Sequence, residues 1–66
     1  MAIVKVIELI SEGESVEKAV ENAVSIAAKT VRNIKSVYVQ DIQAKVENNK
    51  IISYRVDTKV SFVLDR

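Results

Sequence analysis

The sequence predicts an α+β fold in which a three-stranded antiparallel sheet wraps on one helix, in the order strand, helix, strand, strand. Three observations lead to this class. Near the C-terminus, residues Ile52–Leu64 alternate between apolar and polar types, as in a strand with one buried face. An earlier segment has apolar residues at steps of three and four, which is typical of an amphipathic helix. Two Asn residues then indicate a tight turn between the last two strands.

The length and the amino-acid composition limit the kinds of protein that this chain can be. It has 66 residues, which we expect to form one domain over residues 1–66, and it contains no Cys and no His. A domain of this size is marginal unless disulfides, a metal or oligomerisation supports it. Without Cys and His, disulfides, thiolate metal sites and nucleophilic triads are excluded. We therefore expect an oligomer that is not an enzyme.

The charge and the hydropathy pattern limit the partners that this protein can bind. The formal net charge is +1, so no strong field attracts nucleic acid or an anionic membrane. Lys5 and Glu8 interrupt the apolar N-terminal run, which argues against a signal peptide or a membrane span. We expect a soluble cytoplasmic protein whose partners are neither nucleic acids nor membranes.

The first half of the chain predicts a strand and a helix. The strand covers Ala2–Ile10 and is apolar on both faces, so it should be central in the sheet or covered by a neighbour. Ser11–Glu14 contains the only Gly and is predicted to be a loop. Ser15 is the expected N-cap of a helix over residues 16–32, and Asn33 suits the left-handed conformation that follows a helix.

The second strand is predicted at Ile34–Glu47. Its apolar face switches near Gln40 and Asp41, which indicates either a β-bulge or a different packing partner for the far half of the strand. Asn48 and Asn49 tolerate the positive φ angles of a two-residue type I′ turn. A long hairpin with the third strand follows.

An unbroken hairpin ladder would place a patterned set of polar residues on the face away from the helix. In that register Ser36 faces Ser61 and Gln40 faces Asp57, with Arg55 on the same face. Two interpretations of Arg55 and Asp57 are open. They form either a cross-strand salt bridge at a subunit contact or a polar group aimed at a ligand.

The third strand is long for a chain of this size. At roughly 3.3 Å per residue, Ile52–Leu64 would span about 40 Å, whereas strands usually have about five or six residues. Such a strand runs past the core of its own chain. We expect another copy of the chain to cover the overhang.

Three segments resemble the dodecin family: the start KVIELI, the helical stretch ESVEKAVENAVSIAAKTVRNI and the end SYRVDTKVSFVLDR. The more specific part is the spacing of Tyr54, Asp57, Val60 and Phe62. The resemblance implies a hollow homododecamer with the helices outside and the long strands running into neighbours. It also implies a non-enzymatic binding and storage protein for a small ligand or ion. A structural assembly module with no bound cofactor is the alternative.

The resemblance also indicates where a cofactor would bind. In flavin-binding dodecins, a Trp near the start of the second strand stacks on the isoalloxazine ring, and a Gln on the third strand hydrogen-bonds it. Ser36 and Arg55 stand at these positions here. Ser cannot stack and a guanidinium only donates, so FMN or riboflavin is not expected to bind in the family's manner. The candidate ligand-binding residues are Ser36, Gln40, Arg55 and Asp57.

Calcium is the alternative ligand. Because Ser36 stands at the Trp position, the chain resembles the branch of dodecins that lacks the flavin-stacking Trp. Some members of that branch are described as calcium-binding. Carboxylate oxygens are the side-chain ligands that Ca²⁺ prefers. Asp41, Glu47 and Asp57 are therefore the candidate metal ligands.

Overall fold

The computed structural model of the protein describes residues 3–64. The elements are β1 (Val4–Gly13), α1 (Val16–Ala27), β2 (Ile34–Glu47) and β3 (Lys50–Val63). The three strands form one antiparallel sheet in the order β1-β3-β2. The predicted α+β fold and its element order are confirmed, while Ala2, where the first strand was expected to begin, lies outside the described residues.

The core lies between α1 and one face of the sheet. Alternate residues of the central strand are buried there, and the helix contributes small residues at steps of four: Val56, Thr58, Val60 and Phe62 with Ala19, Ala23 and Ala27. The hydroxyl of Thr58 donates a 2.9 Å hydrogen bond to the carbonyl of Leu9, which satisfies a polar group that would otherwise be costly to bury. The alternation in the sequence therefore predicts the buried face of β3 correctly.

Gly13 marks the closest approach of β1 to the helix. A Cβ on Gly13 would lie 2.6 Å from the backbone nitrogen of Ala19, so only a residue without a side chain fits here. The predicted loop at Ser11–Glu14 is partly wrong, because β1 continues to Gly13 and pairs there with Tyr54. The long third strand provides the backbone partners that keep this segment extended.

The helix begins as predicted and ends early. The side chain of Ser15 accepts a 3.1 Å hydrogen bond from the backbone nitrogen of Lys18, as an N-cap does. The last helical residue is Ala27 rather than one near Arg32. Apolar periodicity therefore continues beyond the helix itself.

Asn33 lies in the connection between the helix and the second strand. Its φ of 62° lies in the left-handed region, as predicted. The backbone nitrogen of Val63 donates a 3.1 Å hydrogen bond to the carbonyl of Asn33. This bond attaches the connection between α1 and β2 to the end of the central strand.

The hairpin turn has the predicted geometry. Asn48 and Asn49 have φ angles of 51° and 64°, which are the two positive angles that a type I′ turn requires. At the other end of the hairpin, Ser36 faces Ser61, again as predicted. The ladder therefore follows the expected register next to the turn and from Ser36 to Val39, while a shift between Ile34 and Ser36 interrupts it at the start of β2.

The middle of the hairpin contains a bulge. Val39 pairs with Thr58, but the next pair joins Asp41 to Asp57, which leaves Gln40 as an extra residue in β2. The bulge interpretation of the switched apolar face is confirmed, and the predicted pairing of Gln40 with Asp57 is wrong. An inserted residue reverses which face the following side chains occupy.

Large apolar side chains remain exposed on a single chain. β1 is an edge strand, not a central one, and Val4, Val6 and Ile10 are exposed on it. Residues 40–47 of β2 are all exposed, and Ile51 and Ile52 are exposed opposite the end of that segment. The body measures 52 × 19 × 13 Å. No helix within residues 3–64 has the length and apolar character needed to cross a bilayer.

Candidate functional site

The face of the sheet turned away from α1 carries the predicted site residues. We call it the polar face and define it by its central side chains: Glu8, Ile10 and Glu12 of β1, Asp41 and Gln43 of β2, and Arg55, Asp57 and Lys59 of β3. Two register shifts, at Gln40 and between Lys45 and Val46, decide which side chains of β2 belong to it. In an unbroken ladder the apolar Ile42 would face Arg55, whereas the observed register brings Gln43 there.

Charged and amide side chains face each other across the strands. Asp41 is paired with Asp57 and Gln43 is paired with Arg55. On the other side of β3, Glu12 is paired with Arg55. One guanidinium therefore lies between an amide and a carboxylate, and two carboxylates lie side by side one step along the strands.

A shallow cavity opens on this face. Its volume is about 220 Å³, and its lining residues are Ile10, Asp41, Gln43, Arg55 and Asp57. The structure thus brings together three of the predicted residues and adds two that the sequence pattern does not single out. The signal that could have identified Gln43 is the switch of the apolar face near residue 40, read as a bulge.

The carboxyl groups of this face influence one another. The pKa of Glu8 is raised, chiefly by a hydrogen bond between its carboxyl and that of Asp57, then by the negative charge of Asp57, with Lys59 opposing the shift. Such a bond needs a proton on one of the two groups. When both are ionised, the buried Oδ1 of Asp57 has no hydrogen-bond donor among the described residues. Negative charge is therefore concentrated on the Asp41 side of the cavity.

Ser36 and Gln40 lie outside this cavity. The hydroxyls of Ser36 and Ser61 are 2.6 Å apart and hydrogen-bonded, so the Ser36 side chain is already engaged within its own chain. Gln40 is the bulged residue and does not line the cavity. An aromatic ring is nevertheless present near Ser36, because the exposed Tyr38 faces Lys59 on the same side of the sheet.

Glu47 is remote from the other candidate metal ligands. It pairs with Lys50 at the end of the hairpin, and six residues of extended strand, about 20 Å, separate it from Asp41. Within residues 3–64, no three acidic side chains are grouped so that they could hold a metal ion. Asp41 and Asp57 of one chain therefore supply two carboxylates at most to a shared ion.

The fold and this face define a class of small α+β proteins in which one helix covers one side of a long three-stranded sheet. Residues 3–65 match the family model described as Dodecin, and the chain belongs to the dodecin family. It resembles a Thermus thermophilus dodecin variant with one tryptophan changed to phenylalanine: identity is 27%, coverage is 100% of both chains and the TM-score is 0.92. No curated protein matches the sequence.

Dodecins of two Streptomyces species have the same fold. The structure from Streptomyces coelicolor is 26% identical over 98% of this chain and 94% of that chain, with a TM-score of 0.89. The structure from Streptomyces davaonensis is 23% identical over 98% of this chain and 97% of that chain, with a TM-score of 0.90, and supports the fold alone. The resemblance inferred from the sequence is confirmed at the level of family and fold.

The residues present fit one half of the flavin site that the resemblance implies. The stacking half does not fit, because Ser36 has no ring and its hydroxyl is bonded to Ser61. The hydrogen-bonding half does fit. Arg55 stands on the third strand where an amide side chain was expected, but Gln43 brings an amide to the neighbouring position on β2. The polar face therefore retains both donors and acceptors for the edge of a ring.

Proposed function

We propose that this chain is a non-enzymatic dodecin that forms a homododecamer and holds a small polar ligand on the polar face. The observation that carries this proposal is the cavity where Gln43, Arg55, Asp41 and Asp57 converge. It offers a guanidinium that donates, carboxylates that accept and an amide that does both. The family membership and the absence of His and Cys from the sequence support binding rather than catalysis.

The role of Arg55 distinguishes the two proposed functions, ligand binding and purely structural assembly. It forms no ion pair within residues 3–64 of its own chain, so its guanidinium remains available. A ligand in the cavity would receive its hydrogen bonds. In the alternative function, a purely structural assembly module, the carboxylates of another copy would receive them.

The test measures ligand binding and native mass on the same samples. Riboflavin is titrated into the wild-type protein and the Arg55→Gln variant while its fluorescence is followed, and light scattering gives the mass of each. We expect only weak quenching for the wild type, because Ser36 provides no stacking ring. Arg55→Gln should bind more tightly, because it restores the amide that the family resemblance implies at this position, and both proteins should contain twelve chains. A variant that loses its assembly while the wild type binds nothing would establish the structural module instead.

Calcium is a second candidate ligand, favoured by the cross-strand pair of Asp41 and Asp57 and by the orphaned Oδ1 of Asp57. Two carboxylates from one chain would need further oxygen ligands from a second copy or from water, since Ca²⁺ takes six to eight. Calorimetric titration with CaCl₂ should give saturable heat for the wild type and none for Asp41→Asn. Equal heat for both proteins would exclude this pair as the site.

A further inference from the structure

We propose that a second cavity, at the point where the hairpin runs past the end of β1, binds a small dicarboxylate through Lys45 and Arg55. We call it the hairpin cavity. Its volume is about 280 Å³, and its lining residues are Glu12, Gln43, Ala44, Lys45, Ser53 and Arg55. This binding goes beyond the proposed function, because Lys45 does not line the cavity at Asp41 and Asp57.

Two cationic side chains of the hairpin cavity have no carboxylate partner. Lys45 is paired with Ser53, and Arg55 is paired with Gln43. Neither cation forms an ion pair within residues 3–64. With Glu12 ionised, the lining carries two positive charges and one negative charge. A cavity with an excess of positive charge attracts anions.

The spacing of the two cations favours a ligand with two separate negative charges. Lys45 and Arg55 are diagonal neighbours on β2 and β3, and such neighbours lie roughly 7–8 Å apart. A single phosphate or sulfate would require both long side chains to converge, which adds repulsion between like charges and a loss of side-chain entropy. A dicarboxylate places one negative charge beside each cation without bringing the cations together.

The side chains between the two cations supply further hydrogen-bond donors. The guanidinium of Arg55 can bind one carboxylate through two parallel N–H groups, and the ammonium of Lys45 can bind the other. The hydroxyl of Ser53 and the amide of Gln43 also line the cavity, and both can donate to carboxylate oxygens. The lining therefore offers donors to both ends of the ligand.

Glu12 limits the affinity of this cavity for anions. It is paired with Arg55 on the β1 side of the sheet. Its backbone carbonyl accepts a 2.8 Å hydrogen bond from Nδ2 of Asn22, which holds this end of β1 against the helix. An ionised Glu12 repels a carboxylate bound at Arg55. Removing its charge should therefore strengthen the binding of a dicarboxylate.

The experiment is a calorimetric titration with sodium glutarate at pH 7.5 and constant ionic strength. Pentanoate, which has the same carbon chain with a single carboxylate, and inorganic phosphate are the comparison ligands. The proteins are the wild type, Lys45→Met and Glu12→Gln, with Lys29→Met and Glu14→Gln as controls that make the same charge changes at exposed positions outside the cavity. Light scattering and circular dichroism measure the mass and fold of every variant.

We expect saturable binding of glutarate to the wild type and to Lys29→Met. Lys45→Met should bind it about tenfold more weakly, as the loss of a hydrogen bond to a charged group predicts. Glu12→Gln should bind it about threefold more tightly than Glu14→Gln, because only Glu12 faces the bound carboxylate. Pentanoate and phosphate should bind the wild type about tenfold more weakly than glutarate.

Three results would overturn the inference. The first is a wild type that gives no saturable heat with glutarate. The second is equal weakening by Lys45→Met and Lys29→Met, which would reduce the effect to overall charge. The third is a wild type that binds phosphate more tightly than glutarate, which would indicate a site for a single anion.

If Lys45→Met changes the native mass, Glu12→Gln decides, because a gain of affinity cannot come from a loss of structure. Unchanged affinity in Glu12→Gln would then overturn the inference. The proposed function is tested separately by the calcium and riboflavin titrations. A protein that binds glutarate but neither calcium nor riboflavin would support the hairpin cavity while the proposed function fails.

Discussion

Carboxyl groups on the polar face repel one another, and the register of the sheet determines which of them are neighbours. A hydrogen bond to the carboxyl of Asp57 raises the pKa of Glu8, and the negative charges of Asp57 and Asp41 raise it further. A carboxyl whose pKa is higher in the folded chain than in the unfolded chain stabilises the fold, and this stabilisation is complete when the pH is below the ordinary pKa of 4.5. That contribution is lost as the pH rises through the folded value.

The substitution Glu8→Gln tests this cost. At pH 7.5 the variant should be more stable than the wild type, because the repulsion from Asp57 is removed while a hydrogen-bond donor is kept. At pH 4 the advantage should disappear. Urea unfolding at both pH values measures it, with Glu14→Gln, in the loop before the helix, as the control for losing one negative charge. A variant less stable than this control at pH 7.5 would contradict the account.

Gly13 is the residue at which packing leaves the least space. The substitution Gly13→Ala should reduce the free energy of unfolding by about 1–3 kcal/mol, because the added Cβ meets the backbone of Ala19 rather than a side chain that can move. Thermal or urea denaturation measures this loss. The exposed helix position Ser25 provides the control, since Ser25→Ala should change stability by no more than about 0.5 kcal/mol. Equal stability of the two variants would show that the helix can move away.

Among the elements, the β2–β3 hairpin does most to create the site. Its tight turn sets the register from one end, a shift between Val46 and Lys45 changes that register, and the bulge at Gln40 changes it back. The consequence is that Asp41 and Gln43 join Arg55 and Asp57 on one face. A hairpin without these two shifts would have presented the apolar Ile42 to Arg55.

The turn itself is open to a direct test. Asn49 has a φ of 64°, which costs a β-branched residue about 1–2 kcal/mol. Asn49→Val should therefore destabilise the protein by about that amount, measured by urea denaturation, whereas Asn49→Gly should be neutral because Gly adopts positive φ freely. If Val and Gly at this position gave equal stability, the turn would not be under this conformational constraint.

On the scale of the whole molecule, one chain leaves apolar surface without cover. Most of the exposed large apolar residues lie at β1 and towards the turn end of the hairpin, while Ile26, Tyr38 and Leu64 are exposed elsewhere. Contiguous apolar surface of this kind marks a contact with another protein surface. A homo-oligomer of dodecin type would cover both regions with copies of the same chain.

Introducing a charge at the hairpin end tests this assembly. Ile52 is 47% exposed on the single chain, and in the proposed dodecamer a neighbouring copy would cover it. Ile52→Glu should then bury an unpaired charge at every such contact, at a cost of several kcal/mol each, and light scattering should show smaller species. The control Ser25→Glu, on the exposed helix surface, should keep the wild-type mass. Wild-type mass for Ile52→Glu would place the hairpin end outside the contacts.

The sequence by itself determined the local features of this protein. Strict alternation defined the buried face of β3, Ser15 the start of the helix, and Asn48 and Asn49 the turn. Each of these depends on interactions between residues that are near in the chain, so each leaves a pattern that can be read. The family resemblance was also recognisable, because its residues are spread over the whole length.

Only the tertiary structure decided the features that depend on distant segments. The helix ends at Ala27, and the segment after it is attached to the last residue of β3 through the carbonyl of Asn33. Gly13 matters because the helix backbone passes over it, not because a loop needs it. Gln43 reaches the cavity because the register is shifted by one residue from Asp41 to Lys45, between the bulge at Gln40 and a second shift before Val46. Which side chains meet across a sheet is set by its register, and a shift of one residue in register leaves only an ambiguous sign in the sequence.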